Sequence, residues 1–234
     1  MEKRCCSVSR AYLFDYGGTL DTGGQHWGRF MWTAYREAAV PVTEQAYRDA
    51  YVETERQLGR EPIIGPGFTF RETLSTKLRL QLQRLGCPDY HDRLLQQLYG
   101  RVQQQLSVSR TVLCKLGEGS TLALVSNFYG NIQAILRDFR LEYFQAVVES
   151  AVVGIRKPDP RIFQLGVDAL GMNSHEVLVV GDSFSKDILP ASSIGCPTAW
   201  IRGKGWADEN VDEALPTTIL GSITQLETWL QTAG

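Results

Sequence analysis

The sequence predicts an α/β chain in which a Rossmann-like, doubly wound parallel sheet is interrupted by an inserted, all-helical domain. Three observations predict it. Five short apolar runs in the second half alternate with helical patterns, as in a parallel sheet covered on both faces. A sixth run stands alone near the N-terminus, at 11–14, and must join the same sheet. Between it and the others lie four helical patterns and no strand, which make a small bundle. The division expected is a core of 1–21 and 109–234 with a helical domain of 22–108.

The first run, Ala11-Tyr12-Leu13-Phe14, ends in Asp15 and the tight turn Tyr16-Gly17-Gly18-Thr19. A carboxylate at the carboxyl end of a buried strand sits where open α/β sheets hold ligands. The N–H groups of the glycine turn can face a phosphate while the carboxylate attacks it. Asp15 can equally be a turn former. A helix follows over 26–39, stopped by Pro41, and a second over 43–58, stopped by Gly59. Thr69 and Glu72 have the spacing of a capping box and start a third, which Gly86 ends. Asp89 is expected to cap a fourth that runs to about Leu106, with Leu94, Leu95, Leu98 and Val102 as its apolar stripe. From about Thr111 the expected strands are 122–125, 146–149, 177–180, 198–201 and 218–220. The expected helices are 131–139, 160–170, 186–194 and 223–231.

At 234 residues the chain can bury one sizeable core, or a core and an insertion. A net charge of −2 with scattered basic residues offers no surface for nucleic acid or acidic membranes. No apolar run reaches the length of a membrane span. The first ten residues lack the apolar stretch of a secretory signal. The cysteines, Cys5, Cys6, Cys87, Cys114 and Cys196, are odd in number and have no zinc-site spacing. They read as reduced thiols of a cytoplasmic protein, with Cys5 and Cys6 in a tail before the first strand.

Four stretches carry a resemblance: YLFDYGGTLD at 12–21, LALVSN at 122–127, RKPDP at 156–160 and VLVVGDSFSKD at 177–187. In this order they resemble the four motifs of the haloacid dehalogenase-like superfamily of phosphohydrolases, in which a helical insert of this kind is a cap that closes over the site and selects the substrate. The resemblance runs from about Ala11 to the last helix. It implies that Asp15 is a nucleophile forming an aspartyl-phosphate, and that Ser126 and Lys157 take the second and third motif positions. A phosphoryl group carries heavy negative charge, so positioned cations and N–H or O–H donors are what it needs. Lys157, at a rigid Pro-Asp-Pro helix entry, can supply the charge, and Ser126 a hydroxyl; a solvated lysine and a helix cap are the plainer alternatives. Gly18, Thr19 and Asn127 complete the expected substrate-binding set. Oxygen ligands from Asp15 and Asp182 suit Mg²⁺. The resemblance adds the carbonyl of Gly17. Asp187 would act through a water or orient Lys157. The partner implied is a small phosphorylated molecule, with no nucleic acid and no membrane.

Position 17 departs from the family pattern. Phosphatases of the superfamily carry a second aspartate there as general acid/base, and this chain has glycine. Such catalysis is worth about 10²–10⁴-fold, so poor leaving groups should suffer most. Asp21 or His26 could reach in, though either can be a loop residue with local hydrogen bonds. Two other readings stand beside a phosphatase: a metal-free dehalogenase, which also lacks the second aspartate, and a phospholigand-binding protein that has lost its chemistry. Asp182 with Asp187 speaks against the dehalogenase, because a metal-free site gains nothing from carboxylates that repel one another.

Overall fold

A computed structural model describes residues 11–203, 205 and 211–233; Cys5 and Cys6 lie outside them. The strands are β1 (Ala11–Phe14), β2 (Thr121–Ser126), β3 (Ala146–Glu149), β4 (Val177–Gly181), β5 (Thr198–Ile201) and β6 (Thr218–Leu220). All pair in parallel in the order β3-β2-β1-β4-β5-β6, so β1 is central, hydrogen-bonded to β2 and β4. The isolated run at the N-terminus does join the sheet across the insertion, as its apolar character requires. All four of its residues are buried because both faces of the sheet are covered.

The helices are α1 (Trp27–Glu37), α2 (Glu44–Arg60), α3 (Phe70–Arg84), α4 (His91–Gly117), α5 (Ile132–Asp138), α6 (Ser150–Val153), α7 (Arg161–Leu170), α8 (Leu189–Ser193) and α9 (Gln225–Ala233). Strand alternation divides the core. Tyr12, Phe14, Leu122, Leu124, Leu178 and Val180 meet the end of α4, α5 and the start of α9. Ala11, Leu13, Ala123, Val125, Val177 and Val179 meet α7 and α8. Only helices lie between β1 and β2. Among the described residues no helix is long and apolar enough to cross a membrane, and Cys87, Cys114 and Cys196 are unpaired thiols.

Local signals set the starts of α2 and α3. Thr43 caps α2 by accepting from the Ala46 N–H, and Thr69 with Glu72 forms the expected capping box of α3. Asp89 does not cap α4. It lies in a 3₁₀ turn, Pro88–Tyr90, and the helix begins at His91 with no side-chain cap. Nor does α4 stop near Leu106. Its buried stripe continues through Ser109, Val112, Leu113 and Leu116, so one 27-residue helix serves the insertion with its first half and the sheet with its second. The Ser, Thr and Val residues at 107–112 are weak helix formers that hide this continuity; the division at 108/109 falls inside the helix. The helix expected over 186–194 is instead a π-helical turn, Phe184–Ile188, running into α8.

Candidate active site

The carboxyl ends of β1, β2 and β4 meet the helical insertion at a cleft of about 190 Å³. Asp15 leaves the end of β1 with its N–H bonded to the Val180 carbonyl, so the central strand delivers it to the cleft floor. Lys157 reaches the same point from the loop before α7. Its Nζ donates to Asp15 Oδ1 at 2.6 Å and to Asp187 Oδ1 at 2.7 Å. All three side chains are buried. Asp187 is further fixed by the Ser183 N–H, which donates to its Oδ2 at 3.0 Å. Carboxylate oxygens of Asp15, Asp182 and Asp187 all lie within 4.8 Å of one another. The sequence thus predicted a cluster that the fold does assemble.

Two glycines make this approach possible. Gly181 ends β4, and a Cβ there would stand 2.4 Å from the Asp187 Cβ, so only glycine lets the wide turn after β4 fold Asp187 back toward Lys157. Close approach is its contribution. Gly18 has φ +105°, and a Cβ there would lie 2.4 Å from the Asp182 carboxylate. Gly17 is different: its φ is not positive, and a Cβ would meet nothing closer than the Trp27 ring at 3.9 Å.

The remaining expected residues are sorted by their hydrogen bonds. Thr19 Oγ1 lies 2.9 Å from Asp15 Oδ2 and 3.2 Å from Asp182 Oδ1, and its single proton serves one carboxylate at a time. Asn127 clamps the Lys157 backbone: its Nδ2 donates to the Lys157 carbonyl at 3.0 Å and its Oδ1 accepts from the Lys157 N–H at 2.9 Å. Its amide therefore holds the lysine in place. Ser126 ends β2, buried, and lines the cleft. The Gly18 N–H does not face a phosphate as expected; it donates to Asp21 Oδ1 at 2.7 Å.

The charges are unbalanced. Burial drives the Asp15 carboxyl up to about 6; Lys157 opposes this and Asp187 adds to it. Asp182 is raised well above its ordinary range by burial, then by Asp15 and Asp187. Burial pulls Lys157 down, but Asp15 and Asp187 outweigh it and hold the ammonium above its ordinary value. Three carboxyls around one ammonium form a hard-oxygen set whose repulsion a divalent cation would relieve, so the residues present fit Mg²⁺.

The insertion adds groups with no local motif. Lys77 of α3 is buried, paired with Glu55 of α2 at 2.6 Å, and faced by the rings of Trp27, Tyr51 and Tyr129. The Tyr129 hydroxyl, from the core, donates to Glu55 Oε2 at 2.7 Å. The available signal was a lysine set between Leu74 and Leu78 on the apolar stripe of α3.

A parallel sheet with a carboxylate at the end of its central strand, a lysine against it and a helical insert above defines a class of α/β hydrolases. A family model of haloacid dehalogenase-like hydrolases matches residues 10–195, and the chain belongs to that family. It is 33% identical over 97 residues to the glyceraldehyde 3-phosphate phosphatase of Pyrococcus abyssi; the match covers 40% of this chain and 41% of that relative, less than half its length. The HAD-hydrolase YfnB from Bacillus subtilis, bound to magnesium, shares the fold with a TM-score of 0.60, 20% identity, and coverage of 96% of this chain and 99% of that one. The L-2-haloacid dehalogenase RSc1362 does so with a TM-score of 0.62, 22% identity, and coverage of 96% and 100%. Proteins named for phosphatase and for dehalogenase chemistry are thus both among those this chain is similar to.

Proposed function

We propose that the chain is a Mg²⁺-dependent phosphatase of small phosphorylated metabolites, acting in the cytoplasm through an aspartyl-phosphate on Asp15. The observation that carries this reading is the cluster of Asp15, Asp182 and Asp187 around a single lysine. A metal-free dehalogenase has no use for Asp182, whose repulsion with Asp15 only costs stability. Asp15, Asp182 and the Gly17 carbonyl would hold the ion, with Asp187 behind them orienting Lys157. The ion would neutralise charge on the phosphoryl oxygens. Lys157 supplies a second positive charge, Ser126 a hydroxyl donor, and Asn127 keeps Lys157 in register. Thr19 steadies the Asp15 carboxylate for attack. The modest cleft suits a small substrate.

The dehalogenase reading has one observation in its favour, the missing carboxyl at Gly17; a phospholigand-binding protein would keep the site without turnover. Phosphate release from 4-nitrophenyl phosphate, with Mg²⁺ and with a chelator, tests the three. Release only with the metal is expected. Asp182→Ala should abolish that dependence, and calorimetry should show Mg²⁺ binding lost. Undiminished Mg²⁺ binding by that variant would remove Asp182 from the ligand set.

A further inference from the structure

We propose that Asp21 gives and takes the proton that position 17 cannot, acting as general acid to the leaving group and then as base to the attacking water. The proposal rests on the phosphatase reading above. Its warrant is geometric. Asp21 lines the same cleft as Asp15 and Gly17, yet is only 1% exposed. Its carboxyl is aimed by two donors, the Gly18 N–H at 2.7 Å to Oδ1 and the Trp27 Nε1–H at 2.9 Å to Oδ2. The same indole edge faces position 17, where a Cβ would lie 3.9 Å from Trp27 Nε1. Asp21 therefore brings a carboxyl to the side of the loop on which a residue-17 side chain would stand. Each of its oxygens keeps a second lone pair that can carry a proton.

The surroundings suit the task. Among the described residues no ion pair holds Asp21 as a carboxylate. Burial raises it to about 7; the Gly18 and Trp27 donors and Lys77 oppose this, and Asp15 adds to it. Tyr16 and Tyr51 also face it, as neutral phenols that burial holds well above their ordinary value. A carboxyl near neutrality can both donate and accept. His26, the other candidate on the loop, is set against this role. Its Nδ1 accepts the Gly28 N–H as the cap of α1, and burial, then Lys186, lowers the ring to about 4, so it stays neutral.

The steps balance. Asp15 attacks phosphorus, the bond to the leaving oxygen breaks, and that oxygen leaves as an alcohol with the proton of Asp21. Water then attacks the aspartyl-phosphate, gives one proton back to Asp21, and releases phosphate and the Asp15 carboxylate.

The test compares glycerol 2-phosphate, an alkyl ester, with 4-nitrophenyl phosphate, which leaves without a proton. In Asp21→Asn, kcat/KM for the alkyl ester, which reports formation of the aspartyl-phosphate and not its hydrolysis, should fall by about 10²–10⁴-fold and that for the aryl ester by less than about tenfold. Gly17→Asp in the Asp21→Asn background should restore the alkyl ester. In the parent, kcat/KM for the alkyl ester alone should decline above pH 7, a readout that needs no variant. Equal losses on both esters, no loss on either, or matching pH profiles in the parent would overturn the assignment while leaving the phosphatase reading intact. No phosphate release from either ester by the parent with Mg²⁺ would overturn both.

Discussion

Lys157 stands between two buried carboxylates and owes its position to three separate devices: the Asn127 clamp on its backbone, Asp187 beside its ammonium, and the glycine at 181 that lets Asp187 approach. Removing it leaves Asp15 and Asp187 facing each other without a cation. Lys157→Ala should cost about 3–5 kcal/mol in denaturant unfolding without Mg²⁺ and should abolish turnover. His26 gives a second expectation at this scale. Burial, with Lys186, Lys77 and Arg48, holds its ring down near 4, against the contrary pull of Glu55, so the folded ring is neutral while an unfolded one titrates near its ordinary 6.5. Its contribution is therefore present above about pH 6.5 and is lost as pH falls toward 4. His26→Asn, which keeps an acceptor for the Gly28 N–H, should reduce the stability lost between those values by about 1–3 kcal/mol. Urea melts at both pH values measure it, and an unchanged difference would remove His26 as its source.

Elements carry what the side chains need. β1 was legible because Ala11–Phe14 is wholly apolar and ends in a carboxylate; Asp15 and Asp182 were legible because each directly follows an apolar strand, and Lys157 because Pro-Asp-Pro fixes it at a helix entry. Residues joined only by the tertiary fold were not. Lys77 and Glu55 come from different helices, and nothing in either local sequence names the other. The Gly18 N–H looked available to a phosphate because its partner Asp21 was visible only as a loop residue. The length of α4 was hidden because poor helix formers occupy its middle while packing on both the insertion and the sheet sustains it. Another element depends on a small residue: α7 lies against the sheet at Gly166, where a Cβ would stand 2.8 Å from Leu13 and 2.9 Å from Val125. Both neighbours are buried core side chains with little room to move. Gly166→Ala should destabilise by about 1–3 kcal/mol through overpacking, despite the better helix propensity of alanine. Thermal unfolding at or above the parent midpoint would contradict this.

At the scale of the molecule, the helical insertion is tied to the core around the cleft. Asn131 of the core donates to the Phe68 carbonyl at 3.0 Å and to Thr73 Oγ1 at 2.8 Å, and Tyr129 reaches Glu55. These polar contacts hold the insertion against the core beside the cleft, where Glu55, Thr73 and Tyr129 line it. Asn131→Ala should raise KM several-fold with little change in kcat, because it loosens that hold and leaves the reacting groups in place. A fall in kcat at constant KM would assign Asn131 to the chemistry instead. During turnover Asp15 is expected to carry a phosphoryl group. The direct measurement is rapid acid quench of the enzyme with Mg²⁺ and either 4-nitrophenyl phosphate or 2-chloropropionate, followed by mass spectrometry of the peptide that contains Asp15. A phosphoryl group on Asp15 from the phosphate ester, and no adduct from the haloacid, is the result predicted here. A carboxyalkyl ester on Asp15 from the haloacid, with no phosphoryl adduct from the phosphate ester, would contradict it.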